Sequence, residues 1–394
     1  MATGFKGATF AKQRRKVGNP VSPAAEHARF EPLPAYTGTG SDLVLMLDSI
    51  LPGATADATK AGQLVFHTVG DTGGIHGTET QSAISDAMEA QITAAAKGKN
   101  AAQGDAPRFF YHLGDVVYFN GLSTQYVEQF YEPYQYYDAP IFAIPGNHDG
   151  DTQTRKGDEA DNEPSLYGFM KNFCSATSQP FFKYRSTMTQ PYCYWTLQAP
   201  FVHIIGTYSN VDGLLDARGS NPQLTWLVQQ LQAAPKDKWV ILGVHHPCYS
   251  LDSVHGGYEE TLATLDRAFE MSGRAPDAVL SGHVHNTQRF SRKCDDKTIP
   301  YIIAGAGGYA NTQRAMHPLQ DGLDKAKRPY PTTVPGVALE FADDQNAGFL
   351  RVTANPTKLV FDYFSVSFDT PPKVASAPVD TVTVSAPKGT KMTP

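Results

Sequence analysis

The sequence predicts an α/β fold on two observations. Apolar, β-branched runs alternate with helical patterns, and strand after strand stops at a metal-binding type of side chain. The first strand spans residues 63–69 and ends at Gly70-Asp71. A helix follows over 80–97, where Ile84, Met88 and Ile92 recur every four residues and Gly98 closes the end. The alternation repeats with a strand at 108–113 ending at Gly114-Asp115, a helical stretch near 123–134, and a strand at 140–144 ending at Gly146-Asn147-His148. Later strands at 239–244 and 278–280 deliver His245 and His283, with a helix over 258–271 between them. A strand at 301–304 runs into Gly305-Ala306-Gly307-Gly308, and 348–354 and 358–364 read as a closing hairpin around Asn355-Pro356. In open α/β sheets ligands gather beyond the carboxyl ends of the strands, so these loops are expected along one rim.

A chain of 394 residues accommodates one α/β domain with appendages. Residues 1–60, rich in Gly, Pro, Ala and Thr, read as an N-terminal arm on the surface, with a short capped helix at 41–51. The main domain is expected over 61–366. An insertion at about 150–200, polar and aromatic without a clean period, is expected to border the site as a lid. Residues 367–394, rich in Pro, Ser, Thr and Lys, are expected to form a disordered tail.

A formal net charge of −6 gives no general attraction to nucleic acid or an anionic membrane, so neither is expected as a partner. No apolar run approaches the roughly 20 residues of a membrane span. The basic start, with Lys12, Arg14, Arg15 and Lys16, lacks the apolar stretch of a signal peptide. The expectation is a soluble protein, cytoplasmic as given, or periplasmic or secreted if a signal has been removed. Cys174, Cys193, Cys248 and Cys294 show no Cys-x-x-Cys spacing; Cys174 and Cys193 flank one irregular segment that a disulfide could bridge.

The motifs supply what two adjacent cations require. Ions roughly 3.5–4 Å apart need a bridging ligand with two oxygens, and Asp115 is the candidate. Asp71, Tyr118 and His285 would complete one site; Asn147, His245 and His283 would complete the other. With the bridge shared equally, the first site gathers about two and a half negative charges and the second about half of one, because imidazole and amide ligands are neutral. That asymmetry favours a trivalent hard ion, Fe3+, beside a divalent one, Fe2+, Zn2+ or Mn2+. Taken singly, Asp71, Asp115 and Asn147 would more often be helix caps or turn residues, and Tyr118 a core residue. Their ordered coincidence is what favours metal binding.

Gly70-Asp71-Thr72-Gly73, Gly114-Asp115-Val116-Val117-Tyr118, Gly146-Asn147-His148-Asp149, the 242–245 segment and Gly282-His283-Val284-His285 together resemble the calcineurin-like metallophosphoesterases, and among them the purple acid phosphatases. Relatives outside that branch mostly carry a histidine two residues after the first aspartate; Gly73 stands there instead, and Tyr118 points to the purple branch. The fourth motif has Leu242 where the family has valine, and Pro247 selects His245 over His246 as ligand. The resemblance covers about residues 62–366. It implies a β-sandwich of two mixed sheets flanked by helices and hydrolysis of a small phosphate monoester by a metal-bound hydroxide. His148 and His255 are implied on the substrate side, where an imidazole with a pKa near 6.5 can protonate a leaving alkoxide. The alternatives are a phosphodiesterase acting on nucleotides or phospholipid head groups, and a phosphate-binding protein without turnover. His67, His112 and His203, in strands, read as structural histidines. His76, in a glycine-rich loop, and the cations Arg155, Lys156, Lys171, Lys183 and Arg185 are secondary candidates for substrate contact.

Overall fold

The computed structural model describes residues 33–36, 38–74, 77–97, 104–151, 163–211, 222–294, 297–310, 316–323 and 327–394. Two large mixed sheets face each other. In spatial order the nine-stranded sheet runs Val44–Met46, Trp195–Ala199, Val202–Thr207, Trp239–Val244, Ala278–Ser281, Lys297–Ala304, Thr287–Cys294, Val337–Asp343 and Tyr330–Pro331. The six-stranded sheet runs Asp380–Ser385, Lys358–Val366, Ala347–Ala354, Leu64–Val69, Phe110–His112 and Ile141–Ala143.

The centre of each sheet is parallel. Leu64–Val69, Phe110–His112 and Ile141–Ala143 pair in parallel, as do Val202–Thr207, Trp239–Val244, Ala278–Ser281 and Lys297–Ala304. Parallel strands covered on both faces need apolar residues throughout, and Leu64–Val69 and Trp239–Val244 are buried at every position. Alternate side chains then divide the core. Phe66, Tyr111, Phe142, Ile204, Ile241 and Leu280 belong to one apolar cluster shared by the two sheets, whereas Val69, Phe110, Val240 and Val279 join helix residues such as Ile84, Met88, Leu227 and Leu265 in another. The helices Glu79–Lys97, Gln223–Ala233 and Glu259–Ser272 supply those residues. The architecture is the expected pair of mixed sheets with helices outside. Among the described residues no helix is long and apolar enough to cross a membrane.

Two expectations are corrected. The stretch 41–51 is not one helix: Gly40–Asp42 is a 3-10 turn, Val44–Met46 a strand parallel to Trp195–Ala199, and Leu47–Ile50 a single helical turn. Leu43 and Leu47, which flank the strand at the sheet edge, are both buried. Thus the later part of the supposed arm is built into the sheet. The segment after 366 is likewise structured. Asp380–Ser385 pairs antiparallel with Lys358–Val366, and the chain end bonds back through Met392 N–H to Pro356 O (2.8 Å) and Thr393 N–H to Asp237 O (2.8 Å). Thr381-Val382-Thr383-Val384 alternates polar and apolar residues, and both valines pack on the shared core; average composition concealed this period.

Two of the strand histidines, His67 and His112, have structural partners. His67 Nδ1 meets the Tyr137 hydroxyl at 3.0 Å and its Nε2 meets Gln91 Oε1 at 3.1 Å. Burial lowers its pKa from 6.5 to about 3. Because the folded-state pKa lies below the unfolded value, the unfolded chain binds the extra proton. The contribution is therefore fully present above pH 6.5 and is lost as pH falls towards 3. Between pH 6.5 and 5 this one group is expected to cost about 2 kcal/mol of unfolding free energy. Urea unfolding of wild type and His67→Gln at both pH values checks it; equal pH dependence of the two would refute the assignment.

Candidate metal centre

The carboxyl edges of both parallel groups converge. Asp71, Asp115 and Asn147 leave the six-stranded sheet and His245 and His283 the nine-stranded one, while His285 precedes the strand Thr287–Cys294. The loops are joined by Asp71 N–H to Gly114 O (2.9 Å), Thr72 N–H to Asp115 O (3.2 Å) and Gly282 N–H to His245 O (3.1 Å).

Seven side chains sort into two groups. In one, the Tyr118 hydroxyl lies 3.2 Å from Asp71 Oδ1 and 3.2 Å from His285 Nε2, which is 3.5 Å from the same Asp71 oxygen. In the other, His245 Nε2 lies 3.3 Å from Asp115 Oδ2 and 3.2 Å from Asn147 Oδ1, which is 2.9 Å from His283 Nδ1. Ligand atoms of Asp115, His245 and His283 all fall within 4.8 Å of one another. All seven residues are buried. Asp115 stands beside the second group and couples electrostatically to Asp71 in the first.

Hydrogen bonds behind the site leave one ring nitrogen of His245 and one of His283 for it. His245 Nδ1 is bonded to Leu113 O at 2.8 Å, which turns Nε2 to the centre. His283 does the reverse: Nε2 meets the Tyr258 hydroxyl at 2.6 Å, and Nδ1 faces Asn147. Such outer bonds fix tautomer and ring orientation in metal sites. His246, next in the chain, pairs its Nδ1 with Ser209 Oγ at 2.7 Å.

The backbone is strained where it presents these groups. Asp71 (φ 59°), Asp115 (φ 53°) and His283 (φ 68°) are half of the six non-glycine residues with positive φ among the described residues. Each such conformation costs about 1–3 kcal/mol, and residues of this kind concentrate at functional sites. Two glycines are sterically required. A Cβ on Gly282 would stand 2.5 Å from Asp71 Oδ2. On Gly73 it would stand 2.6 Å from Gln129 Oε1 and 2.9 Å from Tyr118 Cδ2, so Tyr118 and Gln129 occupy the space that a larger side chain at 73 would need.

The electrostatics fit a cation. Burial, together with the neighbouring Asp115 charge, pushes Asp71 well above the ordinary carboxylate range. Burial acts on Asp115 too, but His245 and His148 outweigh it and hold that carboxyl low. His245 is raised to about 9: burial opposes its charge, and the Asp115 and Asp71 carboxylates overcome it. The cluster therefore draws a proton where a metal would supply greater charge. Burial and the same carboxylates push the Tyr118 phenol well up, so a phenolate there requires a cation beside it. His283, kept neutral by burial and the surrounding imidazoles, is in the state a ligand needs.

His148 and His255 flank the centre. His148 donates its backbone N–H to Asp115 Oδ1 (2.9 Å), its Nδ1 meets Phe119 O (2.8 Å), and its ring lies 4.6 Å from the Tyr118 ring. His255 is solvent-exposed, with its ring 4.3 Å from that of His283. Its loop is held by the Asp252 carboxylate, which accepts the N–H groups of Val254, His255 and Gly256, each at 2.8 Å.

Several further residues contribute that were not singled out as candidates. Asp149 accepts Gly146 N–H at 2.8 Å and Val116 N–H at 3.1 Å, tying the second and third loops together; burial raises it to about 7, aided by the Asp115 charge. Gln129 brackets the Tyr118 backbone from N–H (2.8 Å) and C=O (2.7 Å), and Tyr309 stacks on the Tyr118 ring at 4.0 Å. No motif pointed to Tyr309, Tyr258 or His317. His76, Arg155 and Lys156 lie outside the described residues. Lys183 bonds Gln135 Oε1 (2.9 Å), Arg185 binds main-chain carbonyls including Ala139 O (3.0 Å), and Lys171 lies 3.5 Å from Ser123 Oγ.

Residues 65–287 match the family model of the calcineurin-like phosphoesterases. Human tartrate-resistant acid phosphatase type 5 is 25% identical over 350 residues, covering 82% of this chain and 94% of that protein. A probable purple acid phosphatase of Arabidopsis thaliana, number 20, is 30% identical over 148 residues, 33% of either chain. Among solved structures, a purple acid phosphatase from yellow lupin seeds superposes with a TM-score of 0.54 at 16% identity, covering 82% of this chain. The chain spans about half the lupin protein's length, 54%.

Proposed function

Because the chain belongs to the calcineurin-like phosphoesterase family, we propose that it hydrolyses phosphomonoesters at a dinuclear metal centre of the purple acid phosphatase type. Asp71, Tyr118 and His285 would hold one ion, Asn147, His245 and His283 the other, and Asp115 would serve both. The observation that carries this reading is the sorting of the donors into two adjacent groups, the oxygen-rich one containing Tyr118. Fe3+ suits that group, and Fe2+, Zn2+ or Mn2+ the imidazole-rich one. When bound, the ions supply Lewis-acid activation of a phosphoryl oxygen and a water acidified towards neutrality.

The protein supplies orientation and protons. The Phe119 carbonyl fixes the His148 ring from Nδ1, leaving Nε2 to hydrogen-bond a phosphate oxygen. His255 is the proton donor to the leaving alkoxide; its exposure lets water restore the proton after each turnover. Both act on a small phosphate ester.

Iron-loaded protein is expected to absorb visible light by tyrosinate-to-iron charge transfer, and Tyr118→Phe is expected to lose that band while keeping its far-ultraviolet dichroism. An unchanged band would remove the ferric-tyrosinate assignment. In a panel run from acidic to neutral pH, an aryl monoester is expected to turn over faster than the matching diester. A strong diester preference would transfer the reading to nucleotide or phospholipid head-group diesters. Inactivity across the panel with both metals bound would leave a phosphate-binding protein.

A further inference from the structure

The segment around His317 carries no recognisable motif, yet it is clasped to two parts of the site. Its backbone N–H bonds His285 O at 3.1 Å, and its Nδ1 accepts the His285 N–H at 3.2 Å. The two imidazoles are stacked, centroids 4.3 Å apart and planes 23° from parallel. The His317 carbonyl accepts Asn286 Nδ2–H at 2.7 Å. On its other side, the His317 ring lies 4.9 Å from the His255 ring and its Nδ1 3.9 Å from Asp252 Oδ2. Two main-chain bonds lock the segments together, Ser253 N–H to Pro318 O (2.8 Å) and Gln320 N–H to Leu251 O (2.9 Å).

We propose that His317 is a positioning residue: it fixes the backbone and ring plane of His285 and couples that ligand to the Asp252 loop that presents His255. This rests on the metal-centre reading above. Since Nδ1 accepts from the His285 amide, the ring proton sits on Nε2, and one tautomer serves both the hydrogen bond and the flat stack. An imidazole coordinating through Nε2 needs its ring plane held, and the stacked partner does this without competing for the metal. The arrangement also explains why a histidine stands there. An aliphatic residue would supply neither the acceptor nor the flat face.

The test compares His317→Ala, His317→Asn and His317→Phe in the full chain. Asparagine keeps an acceptor and removes the ring; phenylalanine does the reverse. The readout is metal affinity, measured by chelator competition against iron and followed by metal analysis and the visible band, with kcat and KM for an aryl phosphate recorded alongside. His317→Ala is expected to weaken metal retention roughly tenfold to a hundredfold, with partial recovery in each of the other two. If His317→Ala folds and retains metal within about twofold of wild type, the proposal is overturned and the metal-centre reading survives. If His317→Ala does not fold, equal wild-type affinity in both His317→Asn and His317→Phe overturns it, and weakened affinity in either supports it. Failure of the wild type itself to take up a metal pair overturns both readings.

Discussion

Asp115→Asn is expected to lower turnover of an aryl phosphate on the order of 10³-fold, the scale of losing one preorganised electrostatic group from a buried site. Metal content is expected to fall below two ions per chain. The carboxylate is almost wholly buried and has both oxygens committed, Oδ1 to the His148 N–H at 2.9 Å and Oδ2 beside His245 Nε2 at 3.3 Å. An asparagine nearly preserves the shape but removes the charge, and one of its two terminal atoms becomes a donor. That amide nitrogen would face either the His148 amide or the inward-facing Nε2 of His245, and each placement is unfavourable. Circular dichroism should remain close to wild type because the substitution is isosteric, while thermal unfolding is expected at a lower temperature because a buried contact is left mismatched. Metal analysis with steady-state kinetics decides the matter: two ions and near-normal kcat in the variant would remove Asp115 from its bridging role.

Arg292→Leu is expected to destabilise the fold by about 3–5 kcal/mol, the cost of leaving a buried charge without its partner. Arg292, on the strand Thr287–Cys294, reaches Asp266 on the helix Glu259–Ser272 with two bonds, Nη1 to Oδ1 at 2.5 Å and Nη2 to Oδ2 at 3.0 Å. Both side chains are nearly excluded from solvent, at 7% and 5% exposure, so little water would screen the charge left behind. Burial pushes the Asp266 carboxyl up while the guanidinium pulls it down, and Arg292 is held more firmly protonated by the same contact. The pair orients a helix against the sheet that carries His283. Replacing both residues by leucine should recover most of the loss, because an apolar contact needs no charge compensation. Urea unfolding of the two single variants and the double variant measures the coupling. Strict additivity would show that the two groups do not act as a unit.

The candidate donor set was legible because each motif is local. A strand end, one glycine and a donor at fixed spacing place Asp71, Asp115 with Tyr118, Asn147, and His283 with His285 in four short windows, and Pro247 selected His245. What lay between the windows was not legible. His317 reaches His285 across 32 positions, and Gln129, from the helical turn Val127–Tyr131, and Tyr309, from the loop after Lys297–Ala304, both reach Tyr118. No periodicity within a window reports contacts at such separations. The two mistaken segments have the same origin. Val44–Met46 and Asp380–Ser385 are strands because edges of distant strands receive them, Trp195–Ala199 and Lys358–Val366 respectively. Their local composition indicated an arm and a tail.

By itself, then, the sequence determined which donors the chain carries and at which strand ends, since side-chain chemistry and short-range spacing are written residue by residue. Tertiary structure alone decided which ring nitrogen of His245 and of His283 faces inward, and that Asp71, Asp115 and His283 adopt left-handed backbone. The physical reason is that hydrogen-bond partners and close approaches arise only when separate loops are packed against one another. A glycine such as Gly282 is ordinary in the sequence. Packed 2.5 Å short of an Asp71 oxygen for any added Cβ, it becomes a requirement.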